Sequence, residues 1–449
     1  MKTDLLIIGA GPGGYHTAAY AARHGLTVTI VEKADIGGTC LNQGCIPTKA
    51  LCHDAEAIEA ARRVCGDGVQ VDFARISERK RNVVDKLRGD VETLMAQPGI
   101  TLVRADGVLT SANTVSAGGG EYIADNIIIA TGSCPKMLPI DGIGLPGVLD
   151  STGLLAIDTL PRRLCIIGAG VIGLEFASVF RSFGSEVSVI EYMKECLPPY
   201  DADISRRVRK TMEKRGVKFT MQAGVTGISQ TGDGLQVNYT CKGKPGAAVA
   251  DAVLIATGRA ANIEGIGLET VGIRTERGCI TVDDNMQTNV GGVYAIGDVN
   301  GRCMLAHAAI MQGIRCVNHI LGRTDNIRLD IMPSAVFTNP EAAAVGLTES
   351  QCKDVGMEYA VRKTPYRANG RAVADEADGG LLKLLTDGDG RLIGCHACGQ
   401  HAADMVQEAT ALMNMGCTVG QLNEITHLHP TIAELLMGRP KRRRMQDKT

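Results

Sequence analysis

The sequence predicts an α/β protein: two parallel-sheet units built on one plan, then a smaller module with an antiparallel sheet. Three observations carry this. A run of strand, glycine turn, helix, strand and acid at residues 4–32 recurs at 164–191. Each copy is followed by a strand ending in Ala-Thr-Gly, at Ile127–Gly132 and at Val253–Gly258. Beyond residue 330 the pattern changes to Pro333, Asn339-Pro340 and the alternating segments 381–385 and 391–395, which suggest an antiparallel sheet with helices.

In the first copy, Leu5 to Ile8 read as a buried strand, followed by Gly9-Ala-Gly11-Pro-Gly13-Gly14 and an alanine-rich helix. Val28 to Val31 form the second strand, and Glu32 closes it. The second copy runs through Leu164 to Ile167, then Gly168, Gly170 and Gly173, and ends on Val187 to Ile190 and Glu191. In both, the acid lies 23 residues after the first glycine. A lone Gly-x-Gly-x-x-Gly is weak evidence; the preceding strand, following helix and matched acid make it specific for a dinucleotide. The alternative, two unrelated glycine-rich turns, does not explain the matched spacing. Gly9 serves the tight turn, Gly11 the close approach of a pyrophosphate, Gly14 the packing of helix on strand. Free N–H groups and the dipole at the helix start then favour the phosphates. Glu32 and Glu191 are placed for ribose hydroxyls rather than being merely solvated strand-end acids. Tyr192, Met193 and Lys194 follow Glu191, with no arginine until Arg206, which favours NAD over NADP. The predicted architecture is therefore two Rossmann-like dinucleotide-binding domains plus a C-terminal α+β domain.

Between the first unit and its Ala-Thr-Gly strand lie helical patterns over about 50–64 and 74–96, then short strands over 101–129. A later strand ends in Tyr294-Ala-Ile-Gly-Asp298, and a helix covers about 306–321.

Bulk properties exclude several classes. The net charge is −2 and there is no tryptophan, so neither nucleic acid nor an anionic membrane is an evident partner. No apolar run approaches the roughly 20 residues that span a bilayer. The N-terminus lacks a basic region followed by a long apolar stretch, so no export signal is read. Fifteen cysteines is an odd number without a pairing pattern, which suggests the reducing cytoplasm. A disulfide in that setting is catalytic rather than structural.

The most specific segment is Gly37-Gly38-Thr39-Cys40-Leu-Asn-Gln-Gly44-Cys45-Ile-Pro47-Thr48-Lys49. Five helical steps separate the two cysteines by about 7.5 Å along the axis alone. That exceeds the roughly 7 Å limit for bridging, so a regular helix must be distorted here, and Gly44 and Pro47 are suited to it. A position near a helix start also favours a thiolate. The alternative is a pair of buried structural cysteines, but the segment follows directly on Glu32 and so lies beside the first nucleotide.

These residues resemble the pyridine nucleotide–disulfide oxidoreductases, most closely the branch acting on dihydrolipoyl groups. The resemblance covers nearly the whole chain. It takes in both glycine fingerprints, the cysteine segment, both Ala-Thr-Gly strands, and Gly297-Asp298 with Met304-Leu305-Ala306-His307. It continues through Pro333 to Glu341 and ends at His427-Leu-His429-Pro-Thr-Ile-Ala-Glu434. It implies FAD at the first site and NAD at the second, with residues 1–140 as FAD-binding domain and 141–260 as NAD-binding domain. Residues 261–329 would complete the FAD site, and 330–449 would form the dimerisation domain.

On the flavin side it implies contacts from Gly9, Gly11, Gly13, Gly14, Glu32, Lys33, Gly38, Thr39, Lys49, Gly107, Thr131 and Gly132. Asp298 would hold the ribityl chain, with Met304, Leu305, Ala306 and His307 nearby. On the NAD side it implies Gly168, Gly170, Gly173, Glu175, Glu191, Val225 and Gly258. Cys40, the more exposed sulfur, would meet the substrate while Cys45 faces the flavin. His429, oriented by Glu434, would be the base that makes the substrate thiolate. It would come from the partner subunit of a homodimer. The implied macromolecular partner is a lipoyl-bearing protein of a 2-oxoacid dehydrogenase or glycine cleavage complex. Thr48, Ala308 and Gln312 depart from the serine, lysine and glutamate common at those positions.

Other features read as packing or solvated chain. Cys395-x-x-Cys398 has no second pair to complete a metal site, and residues three apart on a strand face opposite ways. No metal is therefore expected. His427 reads as a packed histidine. The basic run Arg439 to Arg444 reads as a solvated end. Competing functions are a related NADH-dependent disulfide or mercuric reductase and a non-catalytic redox-sensing subunit. A mercuric reductase would carry a further cysteine pair near its end, whereas the last cysteine is Cys417.

Overall fold

The protein, seen here in a computed structural model, is described over residues 2–66, 68–438 and 441–442. The apolar run at the N-terminus becomes β1 (Lys2–Ile8), whose Leu5, Leu6 and Ile7 are fully buried. A strand apolar on both faces needs cover on both faces, which a parallel sheet with crossover helices provides. β1 lies between β2 (Val28–Glu32) and the strand Gly120–Ile129, parallel to both, with Leu5 opposite Val28 and Asn126. α1 (Pro12–Arg23) makes the crossover to β2, burying Thr17, Ala18 and Ala21. β3 (Ile100–Arg104) extends the sheet beyond β2. Between β2 and β3 come α2 (Gly38–Gln43), α3 (Cys45–Cys65) and α4 (Phe73–Met95). The strand Val293–Ala295 joins the same sheet, parallel to Gly120–Ile129. Residues from the 261–329 stretch thus return to the first sheet, and the helix Ala306–Ile320 follows, packing on α1.

The second copy repeats the arrangement. Strand Arg163–Ile167 lies between Glu186–Glu191 and Ala252–Ile255, parallel to both, with Lys218–Met221 outside. An antiparallel three-stranded sheet, Ala223–Thr231, Gly234–Cys241 and Lys244–Ala250, supplies the return. The residues after the two Ala-Thr-Gly tails pair with each other: Ser133–Pro135 runs antiparallel to Arg259–Ala261. The internal repeat is therefore also a physical joint between the two nucleotide units.

The C-terminal module is a six-stranded antiparallel sheet in the order Ser334–Val336, Ala342–Gly346, Leu392–Cys398, Leu381–Thr386, Ala360–Pro365, Lys441–Arg442. The helix Ala402–Asn414 covers one face. Cys395 packs in the core of this module, while Cys398 belongs to the apolar cluster shared with the second nucleotide unit. Of the basic run, 441–442 form the edge strand; Arg439, Pro440, Arg443 and Arg444 lie outside the described residues.

That shared cluster joins three parts of the chain. Leu51 and Cys52 of α3 meet Phe176 and Phe180 of the helix Val171–Phe183, together with Val336 and Leu381 of the third sheet. Beside it, Lys383 is 1 % exposed. Its ammonium donates to Asp201 at 2.7 Å and to Asp203 at 2.8 Å, and lies 2.5 Å from Glu349. Lys363 adds a second cation 2.6 Å from Asp203. Burial pushes the Asp203 carboxyl up, but Lys363 and Lys383 outweigh it and hold the group at about 2.

Two outcomes are expected. Lys383→Ala leaves buried carboxylates without their cation and should cost about 3–5 kcal/mol, read as a lower denaturant midpoint. Asp203 has a folded value below its unfolded value of about 3.9, so its contribution is complete above that pH and lost as pH falls toward 2. Asp203→Asn should remove that component from the acid-unfolding curve.

Candidate active site

The cysteine segment is two helices, not one. Gly44, at φ −148° and ψ −108°, separates α2 from α3 and leaves Cys45 as the first residue of α3. A Cβ on Gly44 would stand 2.8 Å from the Thr39 carbonyl oxygen, so the break needs a glycine. Thr48 secures it by donating to the Gly44 carbonyl at 2.6 Å. Pro47 falls in the first turn of α3, where a missing N–H costs nothing. The distortion anticipated from the cysteine spacing is therefore made by Gly44 alone.

The two sulfurs are neighbours, and side-chain hydrogen bonding between them raises the Cys40 thiol and lowers the Cys45 thiol. That bond is the largest influence lowering the Cys45 thiol, to about 7; burial opposes it, and the Lys49 cation adds to it. The start of α3 has no side-chain cap, so its free N–H groups also favour negative charge at Cys45. The same bond and burial push the Cys40 thiol well up. Cys45 is thus the thiolate and Cys40 the thiol.

In the chain alone Cys45 is exposed and Cys40 half-buried. Side chains on a helix lean over the turn before them, and Cys45 has only the glycine break there. Cys40 opens into a cavity that Tyr15, Leu41, Ile46, Leu87 and Val91 also line.

Lys49 lies one turn beyond Cys45 on the same face of α3. Its ammonium donates to both oxygens of Glu175, at 2.7 and 2.6 Å, and sits 4.7 Å from the Phe337 ring centre. Glu175 is 4 % exposed and also accepts from the Phe337 N–H at 3.0 Å. Expected on the NAD side, Glu175 is engaged instead as the partner of Lys49. One ion pair therefore ties α3, the second nucleotide unit and the C-terminal module together beside the thiolate.

Both glycine turns have the form a dinucleotide requires. Gly9 and Gly168 have φ of +105° and +109°, in the left-handed region. A Cβ at Gly14 would stand 1.9 Å from the Gly9 carbonyl oxygen, and one at Gly173 2.1 Å from that of Gly168. Neither following helix has a side-chain cap, so both leave N–H groups free at the turn. Gly170, Gly132 and Gly258 face open space where a Cβ would meet nothing within 4 Å. The turns fit the pyrophosphates of FAD and NAD.

Glu32 and Glu191 repeat one another in detail. Glu32 accepts from the Ala10 N–H at 2.6 Å and the Ala34 N–H at 2.9 Å. Glu191 accepts from the Ala169 N–H at 2.5 Å and the Met193 N–H at 2.7 Å. Each acid ties the glycine turn to its strand end while keeping further lone pairs for a ribose diol.

Asp298 accepts a hydrogen bond from the Ser133 hydroxyl. Arg259 in turn donates to Ser133, at 2.7 Å to the hydroxyl and 2.6 Å to the carbonyl. Ser133 and Arg259 are the residues next after the two Ala-Thr-Gly tails; the sequence reading missed both, and that symmetric position was the available signal. Thr131 donates to the Asn262 carbonyl at 2.7 Å. Among the remaining expected contacts, Gly38 and Thr39 lie in α2, and Gly13 packs beneath Ala309. Gly107 is buried between Ile8 and Val31, and Lys33 pairs with Asp106 at 3.7 Å. Leu305 caps the helix that Ala306 begins, next to the exposed Met304, and the His307 ring bonds the Pro333 carbonyl at 2.8 Å. Val225 lies at a bulge in its strand. Gln312 accepts from the Gly297 N–H at 2.7 Å, supporting the turn that carries Asp298.

His429 and Glu434 form a dyad, with the Nδ1 of the ring 3.0 Å from a Glu434 oxygen. The hydrogen bond from His429 lowers the Glu434 carboxyl, as does the bond from the Thr431 N–H. The His429 side chain is 80 % exposed, and no hydrogen bond or ion pair among the described residues joins it to the cysteines. Leu428 and Ile425 on the same segment are exposed too. One chain therefore holds the thiol pair and the His429–Glu434 pair as separate clusters. Among the described residues no cluster of three metal-ligating side chains is found, and no helix is long and apolar enough to cross a membrane.

A thiolate–thiol pair beside two dinucleotide cradles defines an enzyme that moves electron pairs between thiols and nucleotide cofactors. Residues 3–313 match the pyridine nucleotide-disulphide oxidoreductase family and residues 332–439 its dimerisation domain, and the chain belongs to that family. It is 38 % identical to the mitochondrial dihydrolipoyl dehydrogenase of Pisum sativum, covering 97 % of this chain and 90 % of that protein. It is 37 % identical to the leghemoglobin reductase of Glycine max, over 96 % and 86 %. Among solved structures it resembles the HOCl-induced flavoprotein disulfide reductase RclA of Escherichia coli, with TM-score 0.86, 32 % identity and coverage of 96 % and 98 %. The chain is thus a flavoprotein disulfide oxidoreductase with FAD and NAD as cofactors.

The thiolate assignment has a direct test. The reduced protein should titrate one thiolate by ultraviolet absorbance with a midpoint near pH 7, charged above and neutral below. Cys45→Ser should abolish that transition, and Lys49→Met should move it to higher pH, because the neighbouring cation is lost.

Proposed function

We propose that this chain is a dihydrolipoyl dehydrogenase, oxidising protein-bound dihydrolipoamide to lipoamide through Cys40 and Cys45 with reduction of NAD. The observation that carries this is the cavity on the Cys40 side. It measures about 290 Å³ and is lined by Pro12, Tyr15, Cys40, Leu41, Ile46, Leu87, Asp90, Val91 and Leu94. Its wall is aliphatic apart from the Tyr15 hydroxyl, kept protonated by burial, and the Asp90 carboxylate. An uncharged alkyl dithiol gains from such a wall, whereas glutathione disulfide, a polyanion in neutral water, would be repelled by Asp90 and left without a cation.

The electron balance follows from the thiol pair. His429 takes a proton from one substrate thiol, and the thiolate attacks Cys40 of the oxidised pair, releasing Cys45 as a thiolate. The second substrate thiol displaces Cys40 and closes lipoamide, its proton passing to the departing Cys40 sulfur while His429 keeps the first. Two electrons and two protons leave the substrate, and the Cys40–Cys45 disulfide becomes the Cys40 thiol and the Cys45 thiolate, with the other proton on His429. FAD and NAD, when bound, carry the electron pair away. Lys49 and Glu175 hold charge beside Cys45 during that transfer. Glu191 disfavours a 2′-phosphate and so selects NAD over NADP. His429 reaches the thiol pair from the partner of a homodimer, which the dimerisation domain supports. The wider partner would be a lipoyl-bearing protein of a 2-oxoacid dehydrogenase or glycine cleavage complex, in the cytoplasm.

Steady-state rates with lipoamide, glutathione disulfide and mercuric ion, each with NADH and NADPH, test this. The expected order is lipoamide first and NADH over NADPH by at least about 10²-fold. Preference for glutathione disulfide or mercuric ion would overturn the assignment. Cys45→Ser should retain FAD and lose lipoamide turnover.

A further inference from the structure

His427, two residues before His429, is the opposite of its neighbour: its side chain is 3 % exposed while that of His429 is 80 % exposed. Both of its ring nitrogens face acceptors. Nε2 lies 3.0 Å from a Glu408 oxygen and Nδ1 lies 3.1 Å from the Ile425 carbonyl. Glu408 projects from the helix Ala402–Asn414, the rigid element beneath this segment. Below Pro430 to Ala433 lies a cavity of about 290 Å³, which Glu408, Arg371, His401 and Asp404 also line. Downstream of His429 the segment is anchored by Ile432, Leu435 and Leu436, which are buried in the apolar core. Around His429 itself Ile425 and Leu428 are exposed, and polar tethers supplement that anchor. Downstream, Asn369 donates to the Thr431 carbonyl at 2.9 Å, and Arg362 donates to the Leu435 and Leu436 carbonyls at 2.5 and 2.7 Å. Upstream of His429, the buried tether through a side chain is His427 to Glu408.

We propose that His427 and Glu408 form a positioning pair for the acid–base dyad, fixing the backbone from which His429 reaches the substrate thiol. Two residues span at most about 7 Å, so displacement of His427 passes directly to the His429 ring. Because that ring must meet a thiol on another element, an error of about 1 Å is enough to cost about 10²-fold in rate. The inference rests on the reading of His429 as the base. Reduction of the protein by NADH takes place at the cofactor side and does not need that base.

The test uses dimeric holoenzyme carrying His427→Ala, Glu408→Ala, both together, or Glu408→Gln. Two rates are measured: dihydrolipoamide-dependent NAD reduction, and reduction of the protein by NADH alone in rapid mixing. The alanine variants should lose about 10²-fold in the first and nothing in the second. The double variant should be no slower than either single one, as for two members of one contact. Glu408→Gln, which keeps an acceptor for the ring, should recover part of the loss. Parent-like turnover in the single variants would overturn the proposal, as would an equal fall in both rates, which indicates a general structural effect. If the parent protein itself does not oxidise dihydrolipoamide, the functional reading fails separately. The same variants are then compared on dithiothreitol, whose thiols need the same base, and equal rates for parent and variants would overturn the positioning role on its own.

Discussion

Two sulfurs five residues apart cannot meet on one regular helix, and the structure is organised around the place where that helix is broken. Gly44 ends α2 and starts α3, and one short deviation achieves three things. It brings Cys40 next to Cys45, it puts Cys45 at a helix start, and it leaves Lys49 one turn on, where its charge acts on the same sulfur. Each contributes negative-charge stabilisation at one atom. The steric evidence at Gly44, where a Cβ would run into Thr39, shows why another residue could not make this break.

The charge so created must be held where three parts of the chain converge. Lys49 comes from the first nucleotide unit, Glu175 from the second, and the Phe337 N–H that completes Glu175 from the C-terminal module. The apolar cluster of Leu51, Phe176, Phe180, Val336 and Leu381 packs the same junction. Lys383 and its carboxylates lock the second and third parts nearby. The paired tails Ser133–Pro135 and Arg259–Ala261 lock the first and second, and through Ser133 they also orient Asp298. The domain joints and the site are thus the same set of contacts.

The dyad follows a different rule. His429 is exposed, so burial does not hold its ring in place. Its orientation comes from Glu434 and from tethers on either side. This division explains why the thiol pair is packed into a three-way junction while the base rides on a polar-tethered edge next to exposed Leu428 and Ile425.

Much of this was legible in the chain itself. The glycine fingerprints, the acids 23 residues on, and the helices near 50–64, 74–96 and 306–321 follow from local rules of backbone geometry and periodicity. The cysteine spacing even required a broken helix, and the resemblance of the C-terminal motif paired His429 with Glu434. What the sequence could not decide were relations between residues far apart in it. The engagement of Glu175 with Lys49 spans 126 positions, that of Ser133 with Asp298 165, and the cavity beside Cys40 depends on α1 and α4. Which sulfur is exposed, and which of two neighbouring histidines is buried, are settled by what packs over them. Local spacing determines which side chains can act together along one element, and only the folded packing determines which elements meet.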